Sequence, residues 1–262
     1  DREPLAAVFR MVAEGGGADV IIHLAAHYDF TGEEHPEYWR TNVNGLRNVL
    51  EECKNTLRPK HVVFASSVAA CAYPPPGRAL TETSPPDGEH LYSITKRIGE
   101  EMLREYRDDF HSVIVRFAAL FSDWCEYAPL FYFLGTWLSP AWNARLLGGK
   151  GLSAVPYLHV REVPRFFGAL LGKVDQLAPC EVVIASPDGA VNHVELFEDF
   201  NVPRALEHAV SRAADVAAVR HLYGPPDDGA RAGFAARMAA VGAFASDEGV
   251  AVFDLTVAHT GQ

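Results

Sequence analysis

One strand–loop–helix unit constrains the fold of this chain more than any other part of its sequence. The run His61–Ala65 is short, apolar and rich in β-branched residues, which predicts a buried strand with Ser66 and Ser67 at its end. A loop rich in Pro, Gly, Thr and Asp follows, and then an amphipathic helix that carries Tyr92 and Lys96. These two residues lie four positions apart, so they share one face of the helix.

This unit brings together groups that can exchange a proton near neutral pH. A phenol has an ordinary pKa of about 10, so it needs help to lose its proton. An ammonium one helical turn away favours the phenolate, and a hydroxyl at a neighbouring strand end can orient a substrate oxygen. The residue types and their spacing therefore indicate proton-transfer chemistry.

The same residues resemble the signature of the short-chain dehydrogenase/reductase superfamily, a Ser followed by Tyr-x-x-x-Lys. The separation of about 25 residues between Ser67 and Tyr92 resembles its extended branch, the NAD-dependent epimerases and dehydratases. The resemblance implies that Tyr92 is the general acid or base, that Lys96 lowers the pKa of Tyr92 and holds the nicotinamide ribose, and that Ser67 positions the substrate oxygen. Ser66 is the alternative to Ser67, because the sequence does not fix the phase of the strand. Hydride would pass between NAD or NADP and a hydroxyl or carbonyl carbon.

Two further segments resemble the same family. The apolar run Asp19–Ala26 predicts a strand buried on both faces, and its end, "HLAA", resembles the family's segment along the cofactor. A predicted helix over Glu37–Cys53 carries Asn42 in a pattern that resembles the family's N-x-x-G, which implies an Asn side chain that supports the active site. The cofactor contacts that the resemblance implies are Leu24, Ala25, Ala26, Ala65, Ser66, Tyr92, Lys96, Ala118 and Ala119.

The segment after "HLAA" and the end of the third strand bear on the substrate. His27, Tyr28 and Asp29 follow in a loop that borders the substrate in the family; the alternative is an ordinary polar surface. Nucleotide-sugar epimerases usually carry Asn and Pro where this chain has Ala119 and Leu120. This departure from the family pattern argues against a sugar-nucleotide substrate.

The phosphate-binding turn of a dinucleotide fold is missing from the sequence. Such a fold normally begins with a strand, a glycine-rich turn and a helix whose amides hold the pyrophosphate. No G-x-x-G-x-x-G follows a strand here, and Gly148–Gly151 lacks the spacing. Since the chain also begins at Asp1 without a Met, we expect a fragment that lacks the family's N-terminal part.

The predicted fold is α/β, a Rossmann-like doubly wound parallel sheet with a small helical substrate region. It would contain strands 4-5-6-7 of the family, the last two of them at 111–117 and 181–185. Residues 1–124 and 156–200 would form a partial NAD(P)-binding domain. Residues 125–155 and 201–262 would form the substrate and C-terminal helical region.

Composition excludes several classes of partner. The net charge of −11 argues against nucleic acid and anionic lipid, so the expected partner is a small-molecule substrate. The four cysteines are scattered without metal-ligand spacing, which predicts no metal site, no disulfide framework and a cytoplasmic location. The most apolar run, Ala128–Trp142, is too short to span a bilayer.

The missing strands would leave the edge of Val20–Leu24 open. An open apolar edge invites pairing, so we expect a partner chain, a second copy in a homodimer, or Val250–Val257 folded back to cover it. Two other functions remain open: a thioester or acyl reductase module of a larger assembly, and a non-catalytic fragment that serves as a binding or scaffold element.

Overall fold

A computed structural model describes residues 2–30, 33–75, 78–122, 125, 127–137, 139, 154–187 and 191–192 of the chain. These residues separate into two compact units. The first contains the chain up to Ala118 together with Val163–Ser186, and the second contains the described residues from Ala119 to Glu162 and from Pro187 onward. The predicted domain boundaries stay a prediction, because most of the predicted substrate region lies outside the described residues.

The strands of the described residues follow in chain order. They are β1 (Val20–His23), β2 (His61–Ser67), β3 (His111–Phe117), β4 (Ala119–Phe121), β5 (Ala154–Val155), β6 (Tyr157–His159), β7 (Glu181–Ala185) and β8 (Val191–Asn192). In the first unit, four of them form a parallel sheet in the order β1-β2-β3-β7. Parallel neighbours need crossover connections, which are usually helices. The predicted α/β fold with a Rossmann-like parallel sheet is confirmed.

The α-helices of the described residues are α1 (Arg2–Glu14), α2 (Leu46–Glu52), α3 (Leu91–Glu105), α4 (Ala128–Trp137) and α5 (Glu162–Leu171). π-Helical segments precede α2 at Tyr38–Gly45 and follow it at Cys53–Leu57, so α2 is the middle of a longer helical stretch. Short 3-10 turns lie at Val68–Ala70 and Val174–Gln176. π-Helical turns are rare and frequently lie at functional positions, and the first one here carries Asn42.

The main core lies between the sheet and helices α1, α2 and α3. Apolar side chains from these helices and from β2 and β3 are shielded from solvent, among them Phe9, Leu46, Leu50, Val62, Phe64, Met102, Leu103 and Ile114. Full burial of one such side chain stabilises a fold by about 1.5–3 kcal/mol. Phe117 of β3 points to the other face, where its ring centre lies 5.8 Å from those of Phe166 and Phe167 in α5. Helices therefore pack on both faces of the sheet.

β1 differs from its prediction. The sequence predicts a strand over Asp19–Ala26 that is buried on both faces, whereas β1 has four residues and Ile22 is 37% exposed. The cause is its position, because among the described residues β1 pairs with β2 alone and lies at the edge of the sheet. A strand at an edge has neighbours on fewer sides, so its side chains are less covered.

Among its described residues, the second unit contains two short strand pairs and the helix α4. β4 pairs with β6 in parallel, and β5 pairs with β8 antiparallel. Leu130, Leu134 and Trp137 of α4 are buried. The strand predicted at Val250–Val257 lies outside the described residues. In the part of the chain that the structure describes, every helix is too short or too polar to traverse a lipid bilayer.

Candidate active site

Ser67, Tyr92 and Lys96 meet at the carboxyl end of β2. Ser67 is the last residue of that strand, and Tyr92 and Lys96 lie in the first two turns of α3. The hydroxyl of Ser67 lies close enough to the phenol of Tyr92 to act on its pKa. The ammonium nitrogen of Lys96 lies 5.6 Å from the centre of the Tyr92 ring. The three side chains that the sequence predicts as a catalytic group are therefore neighbours.

A close backbone contact holds the loop before α3 against the end of β2. The amide of Gly88 donates to the Ala70 carbonyl at 2.9 Å, and the Arg97 guanidinium donates to the Gly88 carbonyl at 2.9 Å. A Cβ at position 88 would lie 2.6 Å from the carbonyl oxygen of Ala69, so a side chain there would force the backbone apart. This contact sets where α3 begins and so where its first turn meets β2.

Lys96 is almost completely buried although it is a cationic residue. It is 3% exposed, its Nζ donates to the Ala65 carbonyl at 2.6 Å, and the same nitrogen lies 5.1 Å above the centre of the Phe64 ring. Burial disfavours the charged form and lowers the pKa of Lys96 to about 8. The carbonyl and the aromatic face stabilise the ammonium without neutralising its charge.

The pKa of Tyr92 is raised above its ordinary value. Burial is the largest cause, the phenol of Tyr28 adds to it, and the Ser67 hydroxyl acts in the opposite direction. Burial therefore outweighs any lowering of the pKa of Tyr92 by Lys96 in this structure, and that effect of Lys96 stays a prediction. Tyr92 is therefore a protonated phenol at neutral pH in this structure.

The structure distinguishes the two serines at the end of β2. Successive residues of a strand point to opposite faces. Ser66 is 3% exposed and its hydroxyl donates to Glu100 Oε1 at 2.7 Å. The hydroxyl of Ser67 instead accepts a hydrogen bond from the Ala69 amide at 3.1 Å, and it acts on the pKa of Tyr92. Ser67 is therefore the serine that reaches the candidate site.

Asn42 links the end of β1 to α3 through three hydrogen bonds. Its Oδ1 accepts from the His27 amide at 2.6 Å, and its Nδ2 donates to the His27 carbonyl at 2.9 Å and to Thr95 Oγ1 at 3.1 Å. Thr95 Oγ1 in turn donates to the Tyr92 carbonyl at 2.8 Å. Asn42 thus lies next to the predicted catalytic group. It bonds the backbone of His27 and the hydroxyl of Thr95, which in turn bonds the backbone of Tyr92.

The predicted substrate residues His27, Tyr28 and Asp29 form the loop beside Tyr92. The ring centre of Tyr28 lies 4.4 Å from that of Tyr92, and Tyr28 is 48% exposed. His27 Nε2 and Asp29 Oδ2 lie 3.2 Å apart, and the Tyr38 hydroxyl bonds both the amide and the carbonyl of Asp29. The structure therefore brings Tyr28 to Tyr92, and it ties His27 and Asp29 to each other and to the neighbouring helical segment.

The predicted cofactor residues at the end of β1 are accessible. Leu24 is 57% exposed, and Ala25 and Ala26 are also exposed, so a ligand can approach their backbone closely. At the end of β3, by contrast, the amides of Ala118 and Ala119 already donate, to the carbonyls of Ala185 and Pro156 respectively, both at 3.0 Å. Ala118 is also 5% exposed. These two positions have no amide left to offer to a cofactor.

Sequence reasoning missed a buried histidine beside the site. His23 is 9% exposed, its ring stacks on Phe64 at 6.1 Å between centres, and its Nε2 has no hydrogen-bond partner among the described residues. Burial and, to a smaller extent, the Lys96 charge lower the pKa of His23 to about 4. The signal was present, since His23 is the first residue of the "HLAA" motif.

A buried ion pair was also missed. Glu100 and Arg116 are 0% and 1% exposed, and Arg116 Nη2 donates to Glu100 Oε2 at 2.8 Å. Two signals could have found the pair. Glu100 follows Lys96 by one helical turn, and Arg116 is a charged residue between the apolar Val113–Val115 and Phe117.

The residues present fit one half of a nicotinamide dinucleotide. Lys96 and Tyr92, at the carboxyl end of a parallel strand, offer an ammonium and a hydroxyl of the kind that bind ribose oxygens. The pyrophosphate has no such match, because the sequence contains no glycine-rich turn after a strand. Within the described ranges, no cluster of His, Cys, Asp or Glu side chains could hold a metal ion.

Comparison with known proteins decides the family. The sequence model of the "NAD dependent epimerase/dehydratase family" matches residues 3–185. The chain belongs to this family. A curated relative, uronate dehydrogenase of Agrobacterium fabrum, is 33% identical over 138 residues, which cover 51% of this chain and 47% of the relative. The chain thus spans about half the length of this curated relative. The resemblance predicted from Ser67, Tyr92 and Lys96 is confirmed.

Solved structures of the family have the same fold. UDP-glucose 4-epimerase of Thermus thermophilus in complex with NAD superposes with a TM-score of 0.59 at 20% identity, over 80% of this chain and 67% of that one. A UDP-glucuronic acid 4-epimerase variant of Bacillus cereus with NAD gives 0.58 at 17% identity, over 79% of this chain and 62% of that one. The family is NAD-dependent, so the expected nicotinamide dinucleotide cofactor is confirmed at the level of the family.

Proposed function

We propose that this chain carries the proton-transfer site of an NAD-dependent oxidoreductase that interconverts a hydroxyl and a carbonyl group. The observation that carries the proposal is that Ser67, at the end of β2, and Tyr92, at the start of α3, lie beside the buried Lys96. The nicotinamide, when bound, accepts or donates a hydride at the substrate carbon. Tyr92 takes the hydroxyl proton in oxidation and returns it to the carbonyl oxygen in reduction, while Ser67 holds that oxygen in place.

Lys96 and Asn42 support this proton transfer in different ways. The Lys96 ammonium stabilises the phenolate that Tyr92 becomes after it gives up its proton, and it binds a ribose hydroxyl. Asn42 keeps the loop at His27 and the first turn of α3 together through its three hydrogen bonds. Because the pKa of Tyr92 is raised, the resting site holds a phenol, which can donate its proton to a carbonyl oxygen in reduction. In oxidation this phenol must first lose its proton to solvent before it accepts the hydroxyl proton.

We infer that the substrate is a sugar acid without a nucleotide. The relative with 33% identity is a uronate dehydrogenase. Ala119 and Leu120 stand where nucleotide-sugar epimerases usually carry Asn and Pro. Tyr28, half exposed beside Tyr92, offers an aromatic face against which the C–H groups of a sugar ring can pack.

The test is an NADH-formation assay with a uronate, in a form of the protein that includes the family's glycine-rich part. Tyr92→Phe keeps the ring and removes the proton, so turnover should fall by roughly 10²–10⁴. Tyr73→Phe is the matched control, because Tyr73 is 86% exposed and lies outside the site. An unchanged rate in Tyr92→Phe would exclude the acid/base role. Turnover of an acyl thioester instead of the uronate would favour the acyl reductase alternative, and activity with neither would favour a non-catalytic role.

We also propose that another strand pairs with β1. An apolar groove with a volume of about 230 Å³ lies along this strand and α1, lined among others by Val8, Val12, Ile21 and Leu57. A partner chain or a second copy in a homodimer would cover it, and Val250–Val257 stays a third candidate.

All four cysteines are free, which suits the reducing cytoplasm.

A further inference from the structure

The buried ion pair between Glu100 and Arg116 lies beneath the candidate site without touching Tyr92. Arg116 binds the carboxylate in a bidentate manner, with Nε at 2.9 Å from Oε1 and Nη2 at 2.8 Å from Oε2. Parallel N–H···O bonds of this kind fix orientation as well as distance. The pair therefore fixes the position of the other groups that form hydrogen bonds with Glu100 or Arg116.

Those positions hold the two segments that flank the candidate catalytic residues. Glu100 Oε1 also accepts from the hydroxyl of Ser66, the residue before Ser67, at 2.7 Å. Arg116 Nη1 donates to the carbonyl of Ser84, in the loop that leads to α3, at 2.8 Å. One ion pair thus links α3, the ends of β2 and β3, and the loop before α3.

The packing around Glu100 leaves little freedom for these links to move. At the preceding residue, Gly99, a Cβ would lie 2.6 Å from Cζ of Phe64 and 3.1 Å from Cδ2 of Leu46. The helix therefore approaches β2 as closely as a residue without a side chain allows. In a close-packed interior of this kind, a shift at one contact is passed to its neighbours.

We propose that Glu100 and Arg116 are a positioning pair, which holds Ser67 and the start of α3 in the arrangement that lets the Ser67 hydroxyl meet the Tyr92 phenol. Ser66 is the link on the strand side. With its hydroxyl fixed to Glu100, Ser66 sets the phase of the end of β2 and so the direction in which Ser67 points. The role rests on the proposed function of Ser67 and Tyr92, but the hydrogen bond that we propose between their hydroxyls can be measured without turnover.

The experiment reads that hydrogen bond by NMR in the 262-residue chain labelled with [13Cζ]tyrosine. The resonance that is missing from the spectrum of Tyr92→Phe is that of Tyr92. The Ser67→Ala variant gives the chemical shift of this resonance without the hydrogen bond. Ser66→Ala and Arg116→Lys should both shift the resonance toward its position in Ser67→Ala. Lysine cannot reproduce the fork of the guanidinium, so Arg116→Lys loses the bidentate contact while keeping the charge.

The matched control is Arg104→Gln. Arg104 donates to the same carboxylate, at 3.4 Å, but its side chain is 41% exposed and it does not reach β2 or the loop. We expect the Tyr92 resonance to stay in place in this variant. In the active protein, Ser66→Ala should lower kcat by about 10–100-fold, as misplacement of reacting groups does, and leave KM within a factor of about two.

A Tyr92 resonance that stays at its wild-type position in folded Ser66→Ala would overturn the proposal. So would a Tyr92 resonance that does not respond to Ser67→Ala, since the pair would then have no hydrogen bond to maintain. If Arg116→Lys fails to fold by circular dichroism, Ser66→Ala decides alone. Activity retained in Tyr92→Phe would refute the proposed function and leave the positioning result standing.

Discussion

His23 should make the stability of this chain fall between pH 6.5 and pH 4. Its pKa is lowered from 6.5 to about 4 because the ring is buried and lies near the Lys96 ammonium. The folded protein therefore binds fewer protons than the unfolded chain in this interval. This contribution to stability is complete above pH 6.5 and is lost as the pH falls through the folded value. A shift of this size corresponds to about 3 kcal/mol, since one pKa unit is worth about 1.4 kcal/mol.

Urea unfolding at pH 7 and pH 4.5, followed by circular dichroism, measures this loss. His23→Gln does not titrate, so the free energy of unfolding should fall by about 2–3 kcal/mol less in the variant than in the wild type over this interval. His90→Gln, at an exposed histidine, is the control and should keep the wild-type pH dependence. Carboxylates titrate equally in all three proteins, so they cancel in the comparison. Equal losses of unfolding free energy in the wild type and in His23→Gln would refute the reasoning, because the protonation of His23 would then not contribute to the pH dependence of stability.

Two further predictions concern the end and the edge of β1. Asn42→Ala removes the partners of the His27 amide and carbonyl, and an unpaired buried group costs about 1–3 kcal/mol. Urea unfolding should therefore show a loss of about 2–4 kcal/mol, and a loss below 0.5 kcal/mol, on the scale of an ordinary surface substitution, would contradict it. If a strand pairs with β1, the amides of Ile21 and Ile22 should exchange slowly with deuterium. Rapid exchange in a stable monomer would mean that this edge is open.

The sheet could be predicted from the sequence because its signals are local. β3 and β7 have the bounds expected from their apolar, β-branched runs, His111–Phe117 and Glu181–Ala185. β3 lies inside the sheet, where a strand is buried on both faces and reads as a continuous apolar segment, whereas β7 has the same pattern although it lies at the other edge among the described residues. β1 has a similar composition but lies at the edge among the described residues, and composition alone does not tell an edge strand from a central one.

Spacing alone predicts the candidate site only where its geometry follows from one element. Tyr92 and Lys96 share a helix face, so their spacing is sufficient. Asn42 and Tyr28 enter the prediction through the family resemblance, because their contacts depend on how two helices pack and on the path of a loop. The raised pKa of Tyr92 could not be predicted, because the sequence does not give the depth of burial.

The two polar networks of the site act on backbone and on buried groups rather than on the reacting oxygens. Asn42 holds the loop at His27 by its main chain, and the Glu100–Arg116 pair holds the residue next to Ser67. Tyr28 differs from these groups, because it is half exposed and its ring lies 4.4 Å from that of Tyr92. We therefore propose that the choice of substrate lies in the loop after β1, while the two networks support the candidate acid/base group.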